Sequence, residues 1–118
     1  MKVKLIVIRT QDPKRLADFY SLLGLSFGYH KHGKSPYHYS ADIDGLIFEI
    51  YPLANNQTET DKYVRLGFEL DTFDETIEVL RNQGFLLAEP NETDFGLIAI
   101  ASDSDGRKIE LYKKAETA

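Results

Sequence analysis

A ten-residue pattern occurs twice in this chain. Residues 42–51 run Asp42-Ile43-Asp44-Gly45-Leu46-Ile47-Phe48-Glu49-Ile50-Tyr51, and residues 103–112 run Asp103-Ser104-Asp105-Gly106-Arg107-Lys108-Ile109-Glu110-Leu111-Tyr112. Each copy opens on an Asp-Gly turn signal and continues as an alternating strand pattern. Phe48 and Ile50, like Ile109 and Leu111, fall on one face; Glu49 and Tyr51, like Glu110 and Tyr112, fall on the other. Each copy therefore aims a carboxylate away from its packed face, and the chain is expected to be two related halves.

The wider sequence supports the repeat. Val3 to Arg9 is almost continuously apolar and reads as a central strand covered on both sides. Asp12-Pro13 is a helix start, with Asp to cap free N–H groups and Pro at the first helical position. Leu16, Phe19, Tyr20 and Leu23 recur at helical spacing, and Gly24 fits the stop. Leu25 to His32 and Tyr37 to Ala41 read as strands around a turn at 33–36, leading into the first copy. The second half repeats the order: a strand from Val64 to Leu70, a capping box at Thr72 and Glu75, a helix stripe of Phe73, Ile77 and Leu80, and a stop at Gly84. Gly24 and Gly84 are 60 positions apart and Glu49 and Glu110 are 61 apart, so the halves align with one single-residue adjustment.

Two strand-helix-strand-strand-strand units give an α+β chain of two tandem βαβββ modules. Module one spans 1–53, a link 54–62 and module two 63–113, within one domain of residues 1–118. Helices are expected on the outer faces, and the opposite faces of the mixed sheets form a cup. By alternation the cup receives Leu5, Val7, Glu49, Tyr51, Arg65, Gly67, Glu69, Glu110 and Tyr112, a polar set for an interior.

Composition narrows the function. A length of 118 residues with 42% apolar content suits a compact domain, and no apolar run reaches a membrane span. Without a leader-like start the default address is cytoplasmic. The absence of cysteine excludes disulfides and thiol chemistry. A net charge of −5 without a basic stripe argues against a nucleic-acid partner.

Several strings resemble the vicinal oxygen chelate superfamily, which includes glyoxalase I, extradiol dioxygenases and bleomycin-resistance proteins. They are Arg9-Thr10-Gln11-Asp12-Pro13, Phe19-Tyr20-x-x-Leu23-Gly24-Leu25, the closing Asp103-x-Asp105-Gly106-x-x-Ile109-Glu110-Leu111, and His32-Gly33-Lys34-Ser35-Pro36-Tyr37-His38-Tyr39, the last similar to an uncharacterised subgroup. The resemblance implies the paired-module fold and a homodimer. It also implies metal ligands on the first and last strand of each half. The last-strand positions fall on Glu49 and Glu110, which match; the first-strand positions fall on Leu5 and Arg65, which do not. Leu has no donor atom and Arg is a fixed cation. No metal cofactor is therefore expected, and any divalent ion would rest on Glu49 and Glu110 alone. Arg65 is expected instead to stand between those carboxylates as a charged cluster on the cup floor.

The function expected on these grounds is metal-independent binding of a small molecule in the cup by Arg65, Glu49, Glu110, Tyr51, Tyr112 and His38. The alternative is a metal-dependent lyase or dioxygenase-like enzyme using Glu49 and Glu110, with His38 as a further catalytic candidate. A third reading is a cup filled by its own side chains, with the surface used for protein association. His30 and His32 read as solvent-exposed loop residues. His38 is either a general base facing the cup or a structural His on a half-buried strand. Tyr51 and Tyr112 either line a pocket or fill the space between sheets. Arg9 is a candidate anion contact at the rim. Asp42, Asp44, Asp103 and Asp105 lack calcium-loop spacing and read as turn formers.

Overall fold

The computed structural model describes residues 1–115; residues 116–118, the end of the expected domain, lie outside the described part. The chain forms two compact units that divide between Asp61 and Lys62. Each is one βαβββ module. The first contains β1 (Leu5–Thr10), α1 (Pro13–Ser21), β2 (Gly28–His30), β3 (His38–Ile43) and β4 (Leu46–Pro52); the second contains β5 (Leu66–Leu70), α2 (Phe73–Asn82), β6 (Asn91–Thr93), β7 (Gly96–Ser102) and β8 (Lys108–Lys113). The sheets run β1-β4-β3-β2 and β5-β8-β7-β6, mixed in both cases because β1 with β4 and β5 with β8 are parallel and the other pairs antiparallel. No helix among the described residues is long and apolar enough to cross a membrane.

In module one, Asp12 caps α1 by accepting from the Arg15 backbone N–H at 3.1 Å, with Pro13 behind it. The helix stripe Leu16, Phe19 and Tyr20 is wholly buried against Phe48, Ile50 and Ala41. Tyr20 meets Phe48 edge-on at 5.2 Å. Each such buried side chain contributes about 1.5–3 kcal/mol, so helix packing fixes which sheet face is core. Arg9, Glu49, Tyr51, His38, Ser40 and His30 are thereby placed on the helix-free face, through the pairings of Val7 with Glu49, Arg9 with Tyr51, Ser40 with Glu49 and His30 with His38.

Module two packs Phe73, Ile77 and Leu80 with Ala99, Ala101, Ile109 and Leu111 in its core. The capping box expected at Thr72 does not form. Thr72 makes no side-chain bond to the helix N-terminus, and its hydroxyl instead lies 3.3 Å from that of Thr76, a turn into the helix. The strands expected to start at Val3 and Val64 start at Leu5 and Leu66, and the second strand, expected over Leu25 to His32, contracts to Gly28–His30.

The two Asp-Gly turns differ. Asp44 (φ 51°) and Gly45 (φ 93°) make a two-residue turn with Ile43 opposite Leu46. In the second copy β7 and β8 stop at Ser102 and Lys108, leaving a five-residue loop. Arg107 fills it, fully buried, with its guanidinium 2.7 Å from Asp103 and 3.5 Å from Asp105.

Candidate functional site

Alternation along β4 and β3 and the short β2–β3 connection assemble one row across the helix-free face of module one. One step past the pairing of Tyr39 with Ile50, His38 lies opposite Tyr51, and their rings stack at 4.1 Å with an 8° interplanar angle. Arg9, on the strand at the other side of β4, places its guanidinium 5.0 Å from the Tyr51 centroid and donates to the Pro52 carbonyl at 3.1 Å. Tyr51 is thus held between a cation and an imidazole. His30 continues the row from β2, 4.8 Å from His38.

His32 joins from the turn. Its backbone N–H donates to Ser35 Oγ at 2.9 Å and its carbonyl accepts from the Ser35 N–H at 2.9 Å, closing the loop at Gly33. The ring lies 4.7 Å from His30 and 5.4 Å from His38. Glu49, with only 12% of its side chain exposed, lies 3.2 Å from His38 Nε2.

These contacts make His38 the electrostatic centre of the face. It is fully buried. Its Nδ1 is 3.0 Å from the Pro36 carbonyl, which can only accept, so the ring proton of a neutral imidazole belongs on Nδ1. Nε2 then presents a lone pair toward Glu49, and its geometry gives it no hydrogen-bond partner among the described residues. Two acceptors 3.2 Å apart and largely out of water call for a proton or a metal ion between them.

This cluster overturns the expectation that no metal cofactor is provided for and that any divalent ion would rest on Glu49 and Glu110 alone. Leu5 and Arg65 indeed supply no ligand, but the donor atoms of His30, His32, His38 and Glu49 all lie within 4.8 Å of one another. The chemistry fits a divalent transition ion, since imidazole nitrogen with one carboxylate suits zinc, iron, nickel or copper. His30 is strand-borne and half-buried rather than an exposed loop residue, whereas His32 is exposed and in the turn as expected, with its ring against that of His30.

The expected trio of Glu49, Arg65 and Glu110 takes a different form. Arg65 Nε donates to Glu110 at 2.9 Å, and the Tyr112 hydroxyl donates to the other Glu110 oxygen at 3.1 Å. That bond, reinforced by desolvation and the Glu110 charge against an opposing Arg65, raises the Tyr112 phenol above its ordinary value. Gly67 leaves room for the Tyr112 ring, since a Cβ there would stand a tight 3.1 Å from Tyr112 Cε1. Glu49, for its part, meets His38 within its own sheet. A concavity of about 550 Å³ beside α2 is lined by Asp71, Asp74, Lys113 and Lys114, which pair with one another and bring no metal-ligating cluster to it.

A family model described as Glyoxalase/Bleomycin resistance protein/Dioxygenase superfamily matches residues 2–111. Among solved structures, TnmS3, an antibiotic binding protein from Streptomyces sp. CB03234, is 22% identical with a TM-score of 0.76, covering 98% of this chain and 97% of that one. Oxidase ChaP-H2 is 19% identical with a TM-score of 0.76, covering 100% and 97%. A glyoxalase/bleomycin resistance protein, also from Streptomyces sp. CB03234, is 22% identical with a TM-score of 0.71, covering 94% and 99%. Identities this low carry the fold and no activity. No curated protein matches the sequence.

Proposed function

Because the chain belongs to the Glyoxalase/Bleomycin resistance protein/Dioxygenase superfamily, we propose that it binds a small organic molecule on the helix-free face of module one. The composition of that face carries the reading. Leu5 and Val7, 54% and 39% exposed, form with Ile47 an apolar shelf next to the polar groups of Glu49, His38, Tyr51 and Arg9. An apolar surface with a few fixed polar groups is how small-molecule sites are built. The face suits a flat, oxygen-bearing molecule: its body covers Leu5 and Val7, an anionic or carbonyl oxygen meets Arg9 or the Tyr51 hydroxyl, and a donor meets Glu49. The antibiotic-binding description of TnmS3 supports a role of this kind. The test is a thermal-shift screen of aromatic and oxygen-rich small molecules, followed by calorimetry of hits against Val7→Asp and Tyr51→Ala. Each substitution is expected to weaken binding about tenfold or more, equivalent to about 1.4 kcal/mol. No saturable hit, or a hit indifferent to both substitutions, overturns the reading.

A second reading, a metal-dependent lyase or dioxygenase-like enzyme, is favoured by the three imidazoles beside Glu49. A bound ion would supply Lewis acidity toward a ligand oxygen. Of the chain's own residues, His30, His32, His38 and Glu49 would hold the ion, Arg9 and Tyr51 would orient the molecule, and the shelf would exclude water. Turnover that vanishes in Glu49→Gln while substrate is still bound separates this reading from simple binding.

A further inference from the structure

We propose that module one by itself holds one divalent transition-metal ion on His30, His32, His38 and Glu49. The proposal deepens the reading of this face as the functional one, but its test uses the ion without any organic ligand, so the two fail separately. It departs from the arrangement that the sequence resemblance implies. That arrangement takes one ligand from the first and last strand of each half; this one takes three from β2, β3 and β4 and one from the turn, all inside residues 30–49.

Three observations converge. The first is the donor set: three imidazole nitrogens and a carboxylate oxygen, every pair within 4.8 Å. An ion with bonds of about 2.1 Å spaces tetrahedral ligands about 3.4 Å apart and opposed octahedral ligands about 4.2 Å apart. The group is therefore slightly open, and His32, exposed and borne on the turn, is the member with most freedom to adjust. The second is His38, whose buried Nε2 lone pair faces Glu49 with no hydrogen-bond partner. The third is its other nitrogen, fixed on the Pro36 carbonyl at 3.0 Å. A ligating imidazole commonly donates its second N–H to such a carbonyl, which sets the tautomer and the ring direction.

A proton on Nε2 would also neutralise the His38–Glu49 pair. It would leave unexplained why His30 and His32 bring two more imidazoles within 4.8 and 5.4 Å of the same ring. An ion uses all four groups. With three neutral imidazoles and one carboxylate, a divalent ion leaves the centre with a net charge of about +1. The centre would then favour an anionic oxygen in any remaining coordination position, on the same face as Arg9 and Tyr51. The nitrogen-rich set selects against magnesium and calcium, which take oxygen ligands.

The experiment is titration of untagged, metal-stripped full-length protein with cobalt(II), nickel(II), zinc(II) and magnesium(II). Binding is followed by calorimetry, with cobalt absorption as the report on ligand field. The expected result is 1:1 saturable binding of at least one transition ion, with a dissociation constant of about 10 μM or tighter, visible cobalt bands and no magnesium binding. Outer-sphere changes at metal sites cost about 10–100-fold, so His38→Ala and Glu49→Gln, which remove ligands, are expected to lose more than that. His38 is buried and its substitution can unfold the module, so the exposed His32→Ala is the parallel variant, expected to weaken binding about tenfold or more. Glu110→Gln, in the other module, leaves binding unchanged. Absence of stoichiometric binding by any transition ion overturns the proposal, as does binding that survives His32→Ala and Glu49→Gln together or is lost in Glu110→Gln.

Discussion

Glu49 and Glu110 occupy equivalent positions in two copies of one motif, yet their surroundings differ. Glu110 is satisfied within its module, by Arg65 on one oxygen and Tyr112 on the other. Glu49 faces the lone pair of a buried imidazole, with two more imidazoles alongside. The strands beside them explain the difference. Val7 lies next to Glu49 where Gly67 lies next to Glu110, and His38 and His30 stand where module two has Ile98 and Asn91. Gly67 lets Tyr112 lean over β5 and reach Glu110; in module one Tyr51 stacks on His38 instead. The repeat thus fixes where a carboxylate stands, and its neighbours decide whether that carboxylate is closed on itself or left to a cation.

The largest contrast is expected in the turns. Asp42 and Asp103 open the two copies, but Asp42 only accepts from the Gly45 N–H on an exposed hairpin, while Asp103 holds the guanidinium of a fully buried Arg107. Removing one partner of a buried ion pair costs about 3–5 kcal/mol, whereas losing one exposed turn bond costs about 0.5–1.5 kcal/mol. Urea unfolding of Asp103→Ala and Asp42→Ala should show that asymmetry. Equal losses would mean that Arg107 finds other partners and that the turns are energetically alike.

Next in size is the conversion of module one toward module two. His38→Ile installs the residue that Ile98 supplies in the second sheet. It is expected to weaken transition-metal binding by about 100-fold or more, equivalent to about 2.7 kcal/mol. Metal-free stability should fall only modestly, by about 0.5–1.5 kcal/mol, because isoleucine gives up the bond to the Pro36 carbonyl while removing a buried nitrogen without a hydrogen bond. A large fall in the metal-free melting temperature would instead make the His38–Glu49 pair a structural one. The reciprocal change, Gly67→Val, puts a side chain where Tyr112 already lies, with the first atom at 3.1 Å. Overpacking of this kind costs about 1–3 kcal/mol, and chemical denaturation measures it. A neutral outcome would mean that Tyr112 moves aside freely.

How far the sequence discloses this molecule follows the same division. The βαβββ order, both helix stripes, the capping by Asp12 and the outward Glu49 and Glu110 are legible because they depend on local periodicity and on turn chemistry within a few residues. The cap at Thr72 fails because the Thr76 hydroxyl competes for its side chain. The cluster is not legible from alternation, because it depends on the register of the β2–β3 hairpin. Only the pairing of His30 with His38 brings the turn residue His32 back onto both rings. Three histidines within nine residues, spanning a Gly-x-x-Pro turn, were the available signal. Pairing of the two strands across that turn sets His30 and His38 face to face. Metal positions carried over from the resemblance pointed to the first strands, where Leu5 and Arg65 stand, and away from the adjacent β3 that holds His38.

The smallest effect isolates the closed carboxylate. Arg65 and Glu110 are 50% and 27% exposed, so solvent screens their attraction, and an ion pair of this kind contributes about 0–1 kcal/mol. Tyr112 offers a finer probe, since its phenol is raised above the ordinary value of 10.0, chiefly by the bond it donates to Glu110. A phenol with a raised folded-state value binds its proton more firmly folded than unfolded. Its stabilising contribution is therefore present at neutral pH and is lost as pH rises from about 10 through the folded-state value. Carbon-13 labelling of the tyrosine ring would follow Tyr112 through that range. Glu110→Gln should bring its titration down toward 10, because a neutral amide oxygen accepts the same bond less strongly than a carboxylate. Arg65→Gln should move it slightly the other way, because the guanidinium is the opposing influence. If Tyr112 titrates at its ordinary value in the unaltered protein, Glu110 is not closed by its own module, and the distinction between the two carboxylates narrows to His38 alone.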